Sequence, residues 1–387
     1  MVTLEALRAR KGDALLLRRD TDDSRALIVI DGGASGVFKS SLKPRLDAIR
    51  SAIPHDDGEL PSLPIDMVIV SHIDDDHIAG LLDLTDHLID QPNAGNFDYK
   101  IDVIWHNSFD AIAKDAAAAL ASVGGGVDTA SIDEMMTDLD VSAEGALVAA
   151  SVPQGRRLAA NARRLGIASN SPWSGPIVLD QTLGGIVIAD GIRATVLCPR
   201  AEQLRQLELA SAKVKEADKA VAAAFVDTEV TNLSSIVILI EADGKTMLLT
   251  GDARGDHVLE GAREMGLLSD AAPTMHVDVL KVPHHGSNRS NDTLLFDAFP
   301  AEHYVISGSG EHGNPDVDTV KALIESRSKL PGTFTLYLTY MPEEYLPFRG
   351  KPYPVDDLRA ILQRAIDDGV LTVITPQADE LGVVVMP

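Results

Sequence analysis

The stretch PIDMVIVSHIDDDH, residues 64–77, decides how the rest of the chain is read. Its first half is an apolar run of the kind buried in a sheet, and it stops abruptly at a cluster of histidine and aspartate. His72, Asp74, Asp76 and His77 put four metal-ligand side chains into a single turn of sequence. Carboxylates crowded in this way repel one another and are costly to desolvate. A divalent cation offsets that cost and accepts imidazole and carboxylate together. The bland alternative is a solvated acidic turn after a strand. Histidines bracketing the acids and the apolar run before them weigh against it.

Upstream, Ala14–Leu17 and Ala26–Ile30 read as strands joined by the polar turn DTDDS, and the second ends in Asp31-Gly32-Gly33. A helix is expected through SSLKPRLDAIRSAI and another over residues 77–91. Downstream, DVIWHNSFD (102–110) again ends a buried strand in polar side chains, at the C-terminal edge where open α/β sheets place their chemistry. GIVIADGIRATVLCP (185–199) reads as strands, and SSIVILIEADGKTMLLTGDA (234–253) as a hairpin around Ala242-Asp243-Gly244 running out at Asp252. Two further strands, ending in VLKVPHHGS (279–287) and YVISGSGEHGNP (304–315), carry histidines in the loops that follow. Between these strands lie two helical insertions, at about 110–170 and 200–228, the first Ala-rich with a glycine break at Gly124–Gly126. They are expected over the open edge of the sheets, shaping substrate entry or mediating a homodimer. The core then spans residues 1–320. A C-terminal α/β segment, 321–387, completes or caps it.

Composition narrows the function. The 387 residues hold 58 acidic and 34 basic side chains, a formal charge of −24, which argues against a broad basic surface for nucleic acid. Only small basic clusters appear, Arg156-Arg157, Arg163-Arg164 and Lys281 with Arg289. The single cysteine, Cys198, rules out an internal disulfide and reads as a packed thiol. No signal-peptide core and no apolar window of about 18 residues is present, so the expected location is the cytoplasm, with no membrane partner.

In order and in wording, SHIDDDHIAG, the opening KGDALLL…LIVIDGG, LLTGDA, VLKVPHHGS and YVISGSGEHGNP resemble the metallo-β-lactamase fold superfamily. The usual His-x-His-x-Asp-His motif is altered here, with Asp74 at the second histidine. In that form the chain is similar to the nuclease-like domain of the competence protein ComEC and its stand-alone relatives. The resemblance implies an α/β fold, a four-layer αββα sandwich with helical insertions. It also implies two divalent ions, zinc or manganese. His72 and Asp74 would hold one metal and Asp76 and His77 the other, with Asp252 bridging and His285 completing the site. The superfamily's intermediate histidine is missing, and Asn232 stands nearest its place. An amide oxygen is the weaker ligand.

The remaining candidates carry lesser roles. His284 and Asp31 are candidates for binding the metal or for orienting its ligands, with a plain turn role the equal alternative for Asp31. His106, Asn107, Ser287 and Asn314 are candidate substrate contacts, with helix capping the alternative for Ser287. His312 is a candidate ligand or general acid, while alignment with ComEC's Gly-His-Pro would put Asn314 at that place. His55, His87, His257, His276 and His303 read as surface or packing residues. Two cations in such a site hold a hydroxide between them, oriented by Asp76. The leading expectation is therefore a phosphodiesterase or nuclease, and the acidic charge favours a short or cyclic nucleotide over a long strand. The alternatives are hydrolysis of a lactone, thioester or β-lactam, and an inactive scaffold that binds a partner.

Overall fold

The computed structural model describes residues 1–22, 24–55, 60–91, 97–107, 143–204, 232 and 234–387, with only the backbone described for 143–152 and 180. The strands are β1 (Val2–Leu7), β2 (Leu15–Asp20), β3 (Arg25–Ile30), β4 (Leu63–Ile69), β5 (Tyr99–Trp105), β6 (Ala168–Ser169), β7 (Ile186–Ala189) and β8 (Ile192–Cys198). They continue as β9 (Val237–Ala242), β10 (Lys245–Leu249), β11 (Val277–Lys281), β12 (Ala301–Ile306), β13 (Phe334–Leu338), β14 (Leu371–Ile374) and β15 (Gly382–Val385). The α-helices are α1 (Lys43–Ser51), α2 (Asp75–Ile89), α3 (Ala143–Leu165), α4 (Gly255–Glu264), α5 (Thr293–Ala298), α6 (Val317–Arg327) and α7 (Val355–Asp367).

Two sheets result. One runs β15-β1-β2-β3-β4-β5-β6 and the other β14-β13-β12-β11-β10-β9-β8-β7. In each, one half is antiparallel and the other parallel: β3 to β6 are parallel, as are β10 to β14. A cluster of inward side chains, among them Leu15, Ile28, Ile69, Trp105, Ile238, Met247 and Val279, fills the space between the sheets. The outer face of the second sheet packs against α4 to α7, and that of the first against α1, α2 and α3. The chain is thus the expected four-layer αββα sandwich. Parallel strands buried on both faces explain why β4 and β11 read as nearly continuous apolar runs.

The hairpin at 234–253 forms as read, with Asp243 and Gly244 both left-handed in its two-residue turn. The first strand, β1, has no counterpart in the sequence reading; its alternation is masked by Glu5, which is buried against Arg45 at 2.7 Å. Residues 321–387 supply β13 and β14 to one sheet and send β15 to the other, antiparallel to β1. Of the first insertion, α3 packs along α2, burying Leu158 and Ala162, rather than reaching over the open edge of the sheets. Asn161 donates to Asp86 at 2.8 Å and Gln154 to Asp75 at 3.1 Å along that seam. The glycine break and residues 205–228 of the second insertion lie outside the described residues.

Candidate metal centre

The site forms where strand ends from both sheets meet. β3 ends at Asp31, a non-glycine residue with φ of 59°, a left-handed conformation that turns its carboxylate inward. That carboxylate accepts from the Ser71 backbone N–H and hydroxyl, both at 2.7 Å, and pairs with His77 Nδ1 at 2.8 Å. Gly32 and Gly33 then let the chain dock on the first turn of α2: Gly32 N–H donates to the His77 carbonyl at 2.7 Å. A Cβ on Gly80 would stand 1.9 Å from the Gly32 oxygen, so only glycine permits this approach. Asp74 precedes α2 with extended backbone and does not cap it with its side chain, while Asp75 and Asp76 occupy the first turn, where the helix dipole favours anions.

From the other sheet come Asp252, past the end of β10, and the loop Pro283–Gly286 past β11. His284 and His285 are both left-handed, with φ of 50° and 52°, which swings the His285 ring into the interior. His72, His77 and His285 are buried, as is Asp252.

The distances are those of a coordination shell. His77 Nε2 and His285 Nε2 are 3.3 Å apart; Asp252 Oδ1 is 3.3 Å from the first and 3.5 Å from the second. A tetrahedral ion with bonds of about 2.0–2.1 Å spaces its ligand atoms by about 3.3 Å. The other Asp252 oxygen faces away, 3.8 Å from His72 Nε2 and 3.7 Å from His284 Nε2. His72, His77 and Asp252 can converge on one ion, and so can Asp76, His77 and His285. Asp74 lies at the rim, 3.6 Å from His72 Nε2. Among the described residues no hydrogen bond reaches His72 Nε2, although the side chain is fully buried. A buried imidazole nitrogen without a partner is costly unless something fills its place. The donor set therefore fits a divalent cation.

Electrostatics point the same way. Burial pushes the His77 imidazole down, but Asp252 and Asp31 outweigh it and hold it well above its ordinary value. Burial likewise lowers His285, and Asp252 and Asp13 bring it up to about 9. Burial raises Asp252, yet the charges of His285, His77 and His284 hold it well below the usual carboxylate range. Without a cation, protons on the imidazoles balance the carboxylates. A metal ion that displaces them releases those protons.

Behind each inner histidine stands a carboxylate. Asp31 holds His77; Asp13, at the turn before β2, holds His285, with Oδ1 at 3.3 Å from Nδ1. Asp13 also accepts from the Ser307 hydroxyl and forms an ion pair with Lys281 Nζ at 2.6 Å. The histidine–carboxylate pair fixes ring orientation and raises ligand basicity. Sequence reasoning assigned Asp13, Ser71, Ser307 and Lys281 no part in the site. A polar residue at the mouth of a buried strand and a lysine inside one were the available signals.

Several expectations need correction. Lys281 forms no basic surface with Arg289, because its ammonium is fully buried against Asp13. Asn107 does not face a substrate: its amide accepts from the Ile177 N–H at 2.8 Å and donates to the Ile177 and Ser234 carbonyls, tying loops together. His106 is buried beside it, with burial first and then Arg163 lowering its pKa to about 4, outside the groups that can share an ion. Ser287 does not cap the next helix; Asp292 does, accepting from Leu294 and Leu295. His284 lies beside the cluster with Nδ1 at 3.0 Å from the Ser290 hydroxyl. Asn314 approaches the His284 carbonyl at 3.5 Å. Asn232 is buried, and no hydrogen bond reaches its Oδ1 among the described residues. His312 stands outside the cluster, on the wall of an adjoining cavity. Cys198 is the packed thiol expected, its sulfur 3.4 Å from the His257 carbonyl and its pKa pushed up by burial.

No protein-family model and no curated protein matches the chain. Among solved structures it is similar to the metallo-β-lactamase fold protein YhfI from Bacillus subtilis, at 13% identity and a TM-score of 0.36, over 99% of this chain and 98% of that one. It is also similar to Zn(2+)-bound PqqB from Methylobacterium extorquens, at 12% identity and a TM-score of 0.38, over 98% of this chain and 89% of that one. Similarity at this level says nothing of the chemistry, which rests on the residues converging at the strand ends.

Proposed function

We propose that the protein is a metal-dependent hydrolase of phosphodiesters with a short substrate. The observation that carries this reading is the convergence of His72, Asp76, His77, Asp252 and His285, from the segment after β4 and the first turn of α2 and from the ends of β10 and β11, onto donor spacings suited to divalent ions. His72 and Asp74, with the Asp252 oxygen that faces His72, would hold one ion; His77, His285 and Asp76, with the other Asp252 oxygen, would hold a second. Asn232, with its buried Oδ1, is the candidate to complete the first. When bound, such ions supply Lewis-acid stabilisation of negative charge and lower the pKa of water.

The chain's own residues do the rest. Asp31 and Asp13 hold the inner imidazoles in the tautomer that presents Nε2 to the centre. Asp76, in the first turn of α2, would accept the proton of an attacking water or orient it. Burial raises the Asp76 carboxyl, but without a cation the charges of His77 and His285 outweigh that; a bound cation would take over their part in keeping it ionised. His312 lines the adjoining cavity and would protonate a leaving group; burial lowers its pKa, and the negative charge of a bound phosphate would oppose that shift. Two features favour phosphate over a carbon-centred substrate. The ligand set is rich in hard carboxylate oxygens, and the resemblance of SHIDDDH is to phosphodiester-cleaving relatives. The net charge of −24 favours a small substrate over a polymer.

The test is turnover of bis(p-nitrophenyl) phosphate by protein reconstituted separately with manganese and with zinc. Metal-dependent activity that Asp76→Ala and His77→Ala both abolish is expected. Absence of turnover with metal shown to be bound would reject the phosphodiester reading and direct attention to lactones and thioesters.

A further inference from the structure

Next to the centre a cavity of about 650 Å³ opens, within the size range of small-molecule sites. Its floor is the turn Arg10–Lys11, whose neighbour Gly12 packs so closely on α2 that a Cβ there would stand 1.6 Å from the Asp76 carbonyl oxygen. The cavity therefore shares a wall with a residue of the proposed site. Arg10 is spoken for: it is left-handed, with φ of 59°, its N–H donates to the Tyr340 hydroxyl at 2.8 Å, and its guanidinium grips Glu311 through two bonds of 3.0 Å. Lys11 differs. Its nearest carboxylate, Asp75, is 3.9 Å away, its side chain is 17% exposed, and its charge acts on Asp76. Among the described residues it is the cation of this cavity least committed to a partner.

Part of the lining is apolar. Residues 346–348, tied to the Ser309 carbonyl by the Leu346 N–H at 2.8 Å, carry an exposed Leu346 and a half-buried Phe348 whose ring lies 5.8 Å from that of His312. A weakly paired ammonium and apolar, aromatic side chains thus line one space of nucleotide size, with the Arg349 guanidinium 5.1 Å from the centroid of the Phe348 ring. Asp75 and Glu311 line the same cavity and repel any additional phosphates.

We propose that this cavity binds the organic end of a single-phosphate, nucleotide-sized ester, with the phosphate between Lys11 and the centre and a flat ring against Phe348. The inference deepens the phosphodiesterase reading and rests on it for the role of the bound group. Its recognition logic is separate: Lys11 supplies charge, which any phosphate feels, while Phe348 supplies a surface only a ring can use.

The test is calorimetric titration of the manganese-loaded protein with adenosine 5′-monophosphate and with inorganic phosphate. The nucleotide is expected to bind about tenfold more tightly than inorganic phosphate, the scale of one stacked ring. Phe348→Ala should remove most of that difference and leave inorganic phosphate unaffected, whereas Lys11→Met should weaken both ligands together. Phe348→Leu, which keeps the apolar contact and loses the ring, serves the same comparison should Phe348→Ala unfold. Equal binding of the two ligands by the wild type, or a preference that survives loss of the ring, overturns the proposal. Diester turnover without any ring preference would sink this pocket and leave the hydrolase reading intact. Ring preference without diester turnover would do the reverse.

Discussion

Lys281 Nζ stands 2.6 Å from Asp13 Oδ2, with both side chains closed off from solvent and the other Asp13 oxygen turned to His285. A buried ammonium is tolerated only when it is paired, and here the pair does more than neutralise itself. The lysine, which also donates to the Val282 carbonyl at 3.0 Å, fixes the carboxylate that in turn fixes the imidazole.

Lys281→Met is therefore expected to leave Asp13 as an uncompensated buried charge and to cost about 3–5 kcal/mol of stability. The double variant Lys281→Met/Asp13→Leu should regain much of that loss in urea denaturation. It should still bind metal about 10–100-fold more weakly than the wild type, because His285 has lost its orienting carboxylate. Recovery of metal affinity along with stability would show that the pair is structural only.

Removal of metal should lower the melting temperature. An ion present at a hundred times its dissociation constant stabilises by about 2.7 kcal/mol, and chelation withdraws that contribution. Scanning calorimetry with and without a chelator, followed by readdition of manganese, reads the effect directly. A melt unchanged by chelation of demonstrably loaded protein contradicts the centre described above.

Gly80→Ala is expected to destabilise by roughly 3 kcal/mol or more, since the new methyl would overlap the Gly32 carbonyl oxygen at 1.9 Å and backbone rather than a flexible side chain must yield. Gly36→Ala is a useful contrast. Nothing lies within 4 Å of its Cβ, and its cost comes from the φ of 87° alone. If both variants melt alike, the close approach of the DGG turn to α2 is not the constraint proposed.

A pH-dependent contribution should come from Asp98, far from the centre. Burial pushes its carboxyl up, but the hydrogen bond from His87 and the Arg50 ion pair outweigh it and hold it below the usual carboxylate range. A folded pKa below the unfolded value of about 3.9 means the stabilisation is present above that value and fades as pH falls through the folded pKa. Because the group is partly exposed, the contribution is about 1 kcal/mol or less. Asp98→Asn should lose that amount at pH 7 and match the wild type in strongly acidic buffer. Equal stability of the two proteins at pH 7 would count against the ion pair.

Much of this molecule is legible one segment at a time. The apolar run of β4 broken by SHIDDDH, the hairpin at Asp243-Gly244, and histidines after β11 and β12 are local patterns, because strand burial and turn chemistry act over a few residues. From them alone follow the alternating α/β order and the candidate ligands at strand ends. Other features exist only once the two sheets have packed. Asn107 and His106 read like site residues since they also end a buried strand, yet the loops at Ile177 and Ser234 enclose Asn107 and take up its amide. Asp13 and Lys281 look like an ordinary turn acid and an ordinary strand lysine; their pairing depends on β11 meeting the turn before β2 across the sandwich. β15 joins the sheet of β1 rather than that of its sequence neighbour β14, a choice of edge that no local periodicity encodes. The sequence determined which side chains could do chemistry. Tertiary packing decided which of them share one low-dielectric space, where a few ångströms separate a ligand, its support and a bystander.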